Sequence, residues 1–281
     1  MELYRRTVYG ADLQTCQLLG LPYTPKPHTT LNEKFGINAA ASIGVNEKPI
    51  MQYVAIGIGG HTAIAGAGGK IKIHPVQHSA SDAALYEHIP FVMRPLDNDL
   101  SSTEMARFAL RKVLTHAGVD YAAYYLRRID LAGVSTKYKK KTVLAGVETV
   151  TDFVPDASCL APVAPTTAPG ANTTDGTYIY ATAQVKIAFD AFDITEILNA
   201  TKLLYGQEDY AILSEFGFCT GIDRQMQAQG NGGSTFNMNE VVCAQVFCHV
   251  FGLQPAYMQK GGFEAIYDIG ISEPLMVLAG P

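Results

Sequence analysis

The chain has 281 residues, of which 48% are apolar and only 17% charged, with a formal net charge of −5. That length can bury a sizeable core in one large domain or two small ones. The negative balance gives no global basic field to hold a phosphate backbone, and so sparse a charge suits a surface partly covered by other proteins.

The N-terminus MELYRRTVYGADLQ has Arg5 and Arg6 with no apolar run behind them, so no signal peptide is read. No stretch approaches the ~20 consecutive apolar residues that span a bilayer. Cys16, Cys159, Cys219, Cys243 and Cys248 are scattered without a CxxC, which reads as reduced, buried cysteines made in a cytoplasm.

Residues 1–48 read as an extended arm. Leu13 to Leu19 has the makings of a short helix, but Pro22, Pro25 and Pro27 follow and force extended backbone. Residues 49–150 form a β-rich first half. PIMQYVAIGIGG is a strand ending in glycines, Lys70 to His74 a short alternating strand, and HIPFVMRP another. SSTEMARFALRK carries capping residues and predicts a short helix. VLTHAGVDYAAYYLRRIDL predicts a hairpin about Ala117 and Gly118. The cluster Lys137, Lys139, Lys140 and Lys141 reads as a solvated loop or the guarded edge of a strand.

Residues 151–177 hold Pro155, Pro162, Pro165 and Pro169 among Ala, Thr and Gly, and read as a linker loop and the best boundary in the chain. Residues 178–281 are then an α+β second half, free to be continuous with the first. In TYIYATAQVKIAF, Ile179, Ala181, Ala183, Val185, Ile187 and Phe189 alternate with polar or tyrosine positions, which predicts a half-buried strand of ~40 Å at ~3.3 Å per residue. Asp193 with Glu196 three places on predicts a capped helix, stopped by Gly206. YAILSEFGFCTGIDR reads as a strand and QMQAQGNGGSTFNMN as a loop. EVVCAQVFCHVFGL is ambiguous between helix and strand, with its β-branched and aromatic residues favouring strand. FEAIYDIGISEPLMVL reads as a strand pair broken near Gly270 to Pro274.

The chemical motifs fail one after another. A P-loop ending at Gly69 and Lys70 would need Ser or Thr where Ile71 stands and Gly where Ile64 stands. Gly57, Gly59 and Gly60 approach a dinucleotide fingerprint but lead into another strand, so the tract reads as a loop where two backbones come close. The seven histidines lack metal-ligand spacing, and Pro75 keeps His74 and His78 off a common helix face. Ser214, Glu215, Cys219 and His249 show no order as nucleophile, base and orienter. Asp97 and Asp99 lack the rest of a calcium loop. The prediction is no catalytic residue, metal or cofactor. Tyr121, Tyr124, Tyr125, Tyr178 and Tyr180 remain as candidate assembly contacts, since tyrosine gives large contact area with few rotors to freeze.

The passages 193–224, 113–131 and 263–278 resemble virion structural proteins of large tailed bacteriophages, particularly tail and baseplate components. The resemblance covers roughly a quarter of the chain and brings no active site with it. It implies assembly in an infected cytoplasm, several copies per particle, and neighbours that are other virion proteins or copies of the chain itself, with no nucleic acid and no membrane. Baseplate, tail tube, neck and capsid stay open as positions. The expected fold is α+β and strand-dominated, with antiparallel sheets, few helices and long loops. Two alternatives accompany it: a soluble hydrolase with a site in segment 57–70, around His61 and Lys70, and a small-ligand binding module.

Overall fold

Thr7 ties the start of the chain to a strand some 240 residues away. It follows β1 (Leu3–Arg6) and caps α1 (Val8–Leu19): its hydroxyl accepts from the Gly10 N–H and donates to the Val246 carbonyl at 2.7 Å. The structure, a computed structural model, describes residues 3–65, 71–144, 146–162 and 177–275. Helix α2 (Leu31–Phe35) is capped by Thr30 and closed by Gly36 in the left-handed region. Its buried Asn32 donates to the carbonyls of Ile37 and Val241 and accepts from the Ala244 N–H. Segment 1–48 is therefore a helix-bearing part of the first unit and not an extended arm. The prolines extend only the stretch between the two helices, and periodicity gives no sign of the partners of Thr7 and Asn32.

The strands that follow are β2 (Ile50–Gly57), β3 (His61–Ala65), β4 (Ile71–Pro75), β5 (His88–Ile89) and β6 (Val92–Pro95). Helix α3 (Ser102–Met105) carries a capping box between Ser101 and Glu104 but lasts one turn. The expected continuation of that helix is instead the start of β7 (Phe108–His116), because Phe108, Ala109 and Leu110 are buried in the ladder with β8 (Val119–Arg128). The hairpin turns at Ala117 and Gly118 with φ of 49° and 80°, the two positive values that a tight primed turn requires.

Next come β9 (Thr136–Leu144), β10 (Val147–Asp152), β11 (Thr177–Asp190), α4 (Ala191–Tyr205), β12 (Ile212–Gln229), β13 (Thr235–Pro255) and β14 (Gly262–Pro274). The long strand predicted at 178–189 is β11. The helix behind it is capped three residues earlier than predicted: Asp190 is the cap and Asp193 closes the box, while Glu196 binds Arg94 at 2.7 Å. Ile194, Ile197, Leu198 and Thr201 form its buried stripe, and Gly206 ends it at φ 85°.

QMQAQGNGGSTFNMN is not a loop. Gln225 pairs with Asn239 and Gln227 with Asn237, so β12 and β13 continue as a ribbon to a turn at Asn231–Gly233. Backbone pairing needs no apolar side chain, and these amides stand outward. Strand β14 runs unbroken through Gly270, and residues 276–278 of the expected second arm lie outside the described residues.

The chain divides into two compact units, Met1–Asp130 with Ala188–Phe263, and Leu131–Ile187 with Glu264–Pro281. The first holds an eight-stranded sheet in the order β1-β13-β12-β2-β8-β6, with β5 on β2 and β7 on β8, and the separate hairpin β3-β4. Phe91, Phe108, Phe216 and Phe218 are fully or almost fully buried in it, with Phe189 in edge contact with Phe91 and Phe263. The second holds a four-stranded sheet in the order β10-β9-β11-β14. Its β10–β9 and β9–β11 pairs are antiparallel, as are the strand pairs of the first, so the fold is α+β and strand-dominated with four α-helices among the described residues.

The lysine cluster lies on β9, an inner strand of that sheet, and not on a loop or a sheet edge. The expected linker begins inside the same unit, on β10 and a short 3₁₀ turn at Ala157–Leu160; residues 163–176 lie outside the described residues. The chain therefore passes between units at 130, 187 and 263, and neither the boundary at 151–177 nor a single half at 178–281 matches that division.

Candidate functional site

Strand β12 sits between β13 and β2, and its register with β13 slips between Leu213 and Glu215. Both faces of the strand are covered here, so the neighbours Ser214 and Glu215 are both buried. A carboxylate in such a place requires partners, because an unpaired buried charge costs several kcal/mol. Glu215 Oε2 accepts from the Gly59 N–H at 2.7 Å and the Glu87 N–H at 3.2 Å. Its Oε1 accepts from the Tyr86 N–H at 2.8 Å and faces His78 Nε2 at 2.7 Å.

The glycines make this possible. A Cβ on Gly57 would stand 2.5 Å from Glu215 Oε2, and one on Gly60 would stand 2.4 Å from the Ser214 carbonyl oxygen. The tract is the close approach of two backbones that its composition suggests, and glycine is the residue that permits it.

His78 is held on every side. Asp82 Oδ2 faces its Nδ1 at 3.0 Å, and the ring stacks between Tyr86 and His249 with centroids 4.0 and 3.8 Å away. His249 Nε2 in turn lies 3.1 Å from the Asp82 carbonyl oxygen. Burial raises the Glu215 carboxyl, but His78 and the three amide N–H groups outweigh it and hold the group below its ordinary value. Burial, and then the neighbouring His78, push His249 down to about 4, so it is neutral near pH 7. The arrangement pins the loop between β4 and β5 to the central strand.

Beside it, Ser214 Oγ accepts from the Gly60 N–H at 3.0 Å and lies 2.8 Å from His61 Nδ1. That contact has the composition of a nucleophile and its base, but Ser214 is 0% exposed and no described acid orients His61. Cys219 is also fully buried, and burial pushes its thiol up, away from the reactive thiolate. A cavity of about 350 Å³ is lined by Arg5, Gln77, His78 and His249 among others. Most of its buried polar groups are already spent on one another. Among the described residues, no group of three or more His, Cys, Asp or Glu side chains is placed to hold a metal. Lys70, the other half of the hydrolase alternative, lies outside the described residues. No described helix is long and apolar enough to cross a membrane.

The tyrosines divide into two groups. Tyr121, Tyr124 and Tyr125 are core residues, 9%, 0% and 9% exposed, and leave little surface for the assembly contacts expected of them. Tyr124 donates to Asp99 at 2.8 Å and accepts from Arg111, and Tyr125 stacks on Phe35 with ring centroids 4.1 Å apart. Tyr178 and Tyr180 are half-buried on β11, opposite Lys141 and Lys139 of β9.

The second unit has the opposite character. All six residues of β10 are exposed, so among the described residues nothing covers that strand on either face or at its outer edge. Val147 is 67% exposed and Val150 52%, and Tyr138, which meets Phe153 at the far end of β9, is 49% exposed. Sequence pattern gives only that the two valines of VETVTD, three apart, fall on opposite faces of a strand; it does not show that both faces are left open. The buried clasp leaves a fainter trace: a lone glutamate in the apolar run YAILSEFGFC, with nothing to indicate that His78 and Asp82 complete it.

No curated protein and no solved structure matches the chain. A family model does match, over residues 1–280, and the chain belongs to that family, the family of unknown function DUF7208.

Proposed function

We propose that this chain is a non-catalytic structural subunit of a tailed-phage virion, in its tail or baseplate, which works by packing against copies of itself and other virion proteins. The observation that carries assembly is β10, a sheet strand with valines and threonines exposed on both faces. Apolar side chains and unpaired edge amides left in water are what a partner covers. The low charge of the chain supports the same reading. The placement in a phage particle rests on the resemblance of segments 113–131, 193–224 and 263–278. Quantitative mass spectrometry of purified particles tests it: the chain is expected at a fixed multiple of the particle's ring symmetry. Particles that form and infect without it would sink the proposal, and density in the neck or capsid would move its position.

A hydrolase is the second reading, carried by the Ser214–His61 contact. It requires Ser214 to react with a fluorophosphonate probe, with labelling lost in Ser214→Ala. The complete burial of Ser214 weighs against it.

A further inference from the structure

We infer that a second copy of this chain adds to the four-stranded sheet through β10, antiparallel and centred on Thr149; this rests on the assembly reading and names its partner. The geometry follows from one hydrogen bond. The Phe153 N–H donates to the Tyr138 carbonyl, and β9 and β10 pair without a register slip. Backbone groups alternate sides along a strand, so Thr149 and Thr151 face β9 while Glu148, Val150 and Asp152 turn their N–H and C=O groups to the open edge.

Edges that resist pairing carry lysine, proline or a bulge. β1, at one end of the larger sheet, includes Arg5 and Arg6 among its four residues. β10 carries no cation, proline or described register slip; its charges are Glu148 and Asp152, and four of its six residues are Val or Thr.

A two-fold axis through Thr149 selects the occupant. It sets Val147 against Thr151 of the second copy, Glu148 against Val150, and Thr149 against itself. No like charges stand opposite, and Glu148 keeps its own cation, Lys141, at 2.6 Å. Shifting the axis by one residue to Val150 would oppose Glu148 and Asp152 twice over, an arrangement that destabilises cross-strand pairs. The edge is self-complementary in the first register and self-repelling in the second. In the first, Glu148 and Val150 exchange backbone hydrogen bonds with their counterparts. Thr149 meets its symmetry mate as a non-hydrogen-bonded pair, with Cα atoms ~4.5 Å apart.

That distance suits a disulfide. In the full chain with the two cysteines that are not buried replaced, Cys16→Ser and Cys159→Ser, Thr149→Cys should link two copies under mild oxidation. Glu148→Cys should not, since its own mate lies beyond ~7 Å. Val150→Pro removes only an outward N–H, and should weaken self-association about tenfold or more while the fold persists by circular dichroism. Equal linking of both cysteine variants, no linking by Thr149→Cys, or a chain that stays monomeric at every concentration would each overturn the inference. A chain found in particles that does not link through Thr149 overturns this pairing and leaves the virion reading standing. Linking through Thr149 by a chain missing from particles does the reverse.

Discussion

His78 Nε2 lies 2.7 Å from Glu215 Oε1, and both side chains are almost wholly shielded from water. The pair joins a loop residue to the central strand. Removing either partner strands the other.

Glu215→Ala should therefore cost about 3–5 kcal/mol, the range for breaking a buried pair from one side. Three N–H groups lose their acceptor in the same step. Glu215→Gln should cost nearly as much, because its amide can turn only one oxygen toward four donors. Urea unfolding would measure both, and a loss below about 1 kcal/mol for Glu215→Ala would show that the loop is held by other contacts.

Stability should fall on mild acidification. Burial depresses both His88 and His249 to about 4, from an ordinary value of 6.5. A depressed histidine stays neutral in the folded chain while the unfolded chain takes up a proton. Its contribution is full above pH ~6.5 and is lost progressively down to pH ~4, by roughly 3 kcal/mol each. Glu215, also depressed, adds a further loss only as the pH falls below the ordinary carboxylate range. Unfolding free energies at pH 7 and pH 4.5 should differ by several kcal/mol, and His88→Gln should flatten that dependence.

Tyr124→Phe should destabilise the chain by about 1–2 kcal/mol, since its hydroxyl joins Asp99 to Arg111 in the core. Self-association should not change, because the ring is 0% exposed. Sedimentation of the variant at matched folded fraction checks this; weakened association would return Tyr124 to the surface.

Deleting residues 1–30 should abolish folding and not merely assembly. The deletion removes β1, the Thr7 clasp to Val246, and helix α1 with the buried Leu13. Circular dichroism and proton NMR of the truncated chain decide between the outcomes, and a dispersed native-like spectrum would make the segment an arm after all.

Local pattern determined the strand-rich α+β class, the hairpin at Ala117 and Gly118, the long strand β11 and the left-handed stop at Gly206. Each depends on residues close in sequence: alternation, two positive-φ positions, a helix stripe and its cap. Where the pattern misled, pairing that side-chain character does not record had decided. Asp190 displaced Asp193 as cap because Arg107 and the strand end hold both acids, and the polar run 225–239 became a ribbon because its two arms pair with each other. The clasp at Glu215 lay beyond reach for the same reason. Its partners are contributed by Gly59, His78, Tyr86 and Glu87, more than 120 residues away. Period and propensity record which face of a strand is apolar. Only the tertiary structure decides what stands against that face, and so it alone buried Tyr124 and left β10 open.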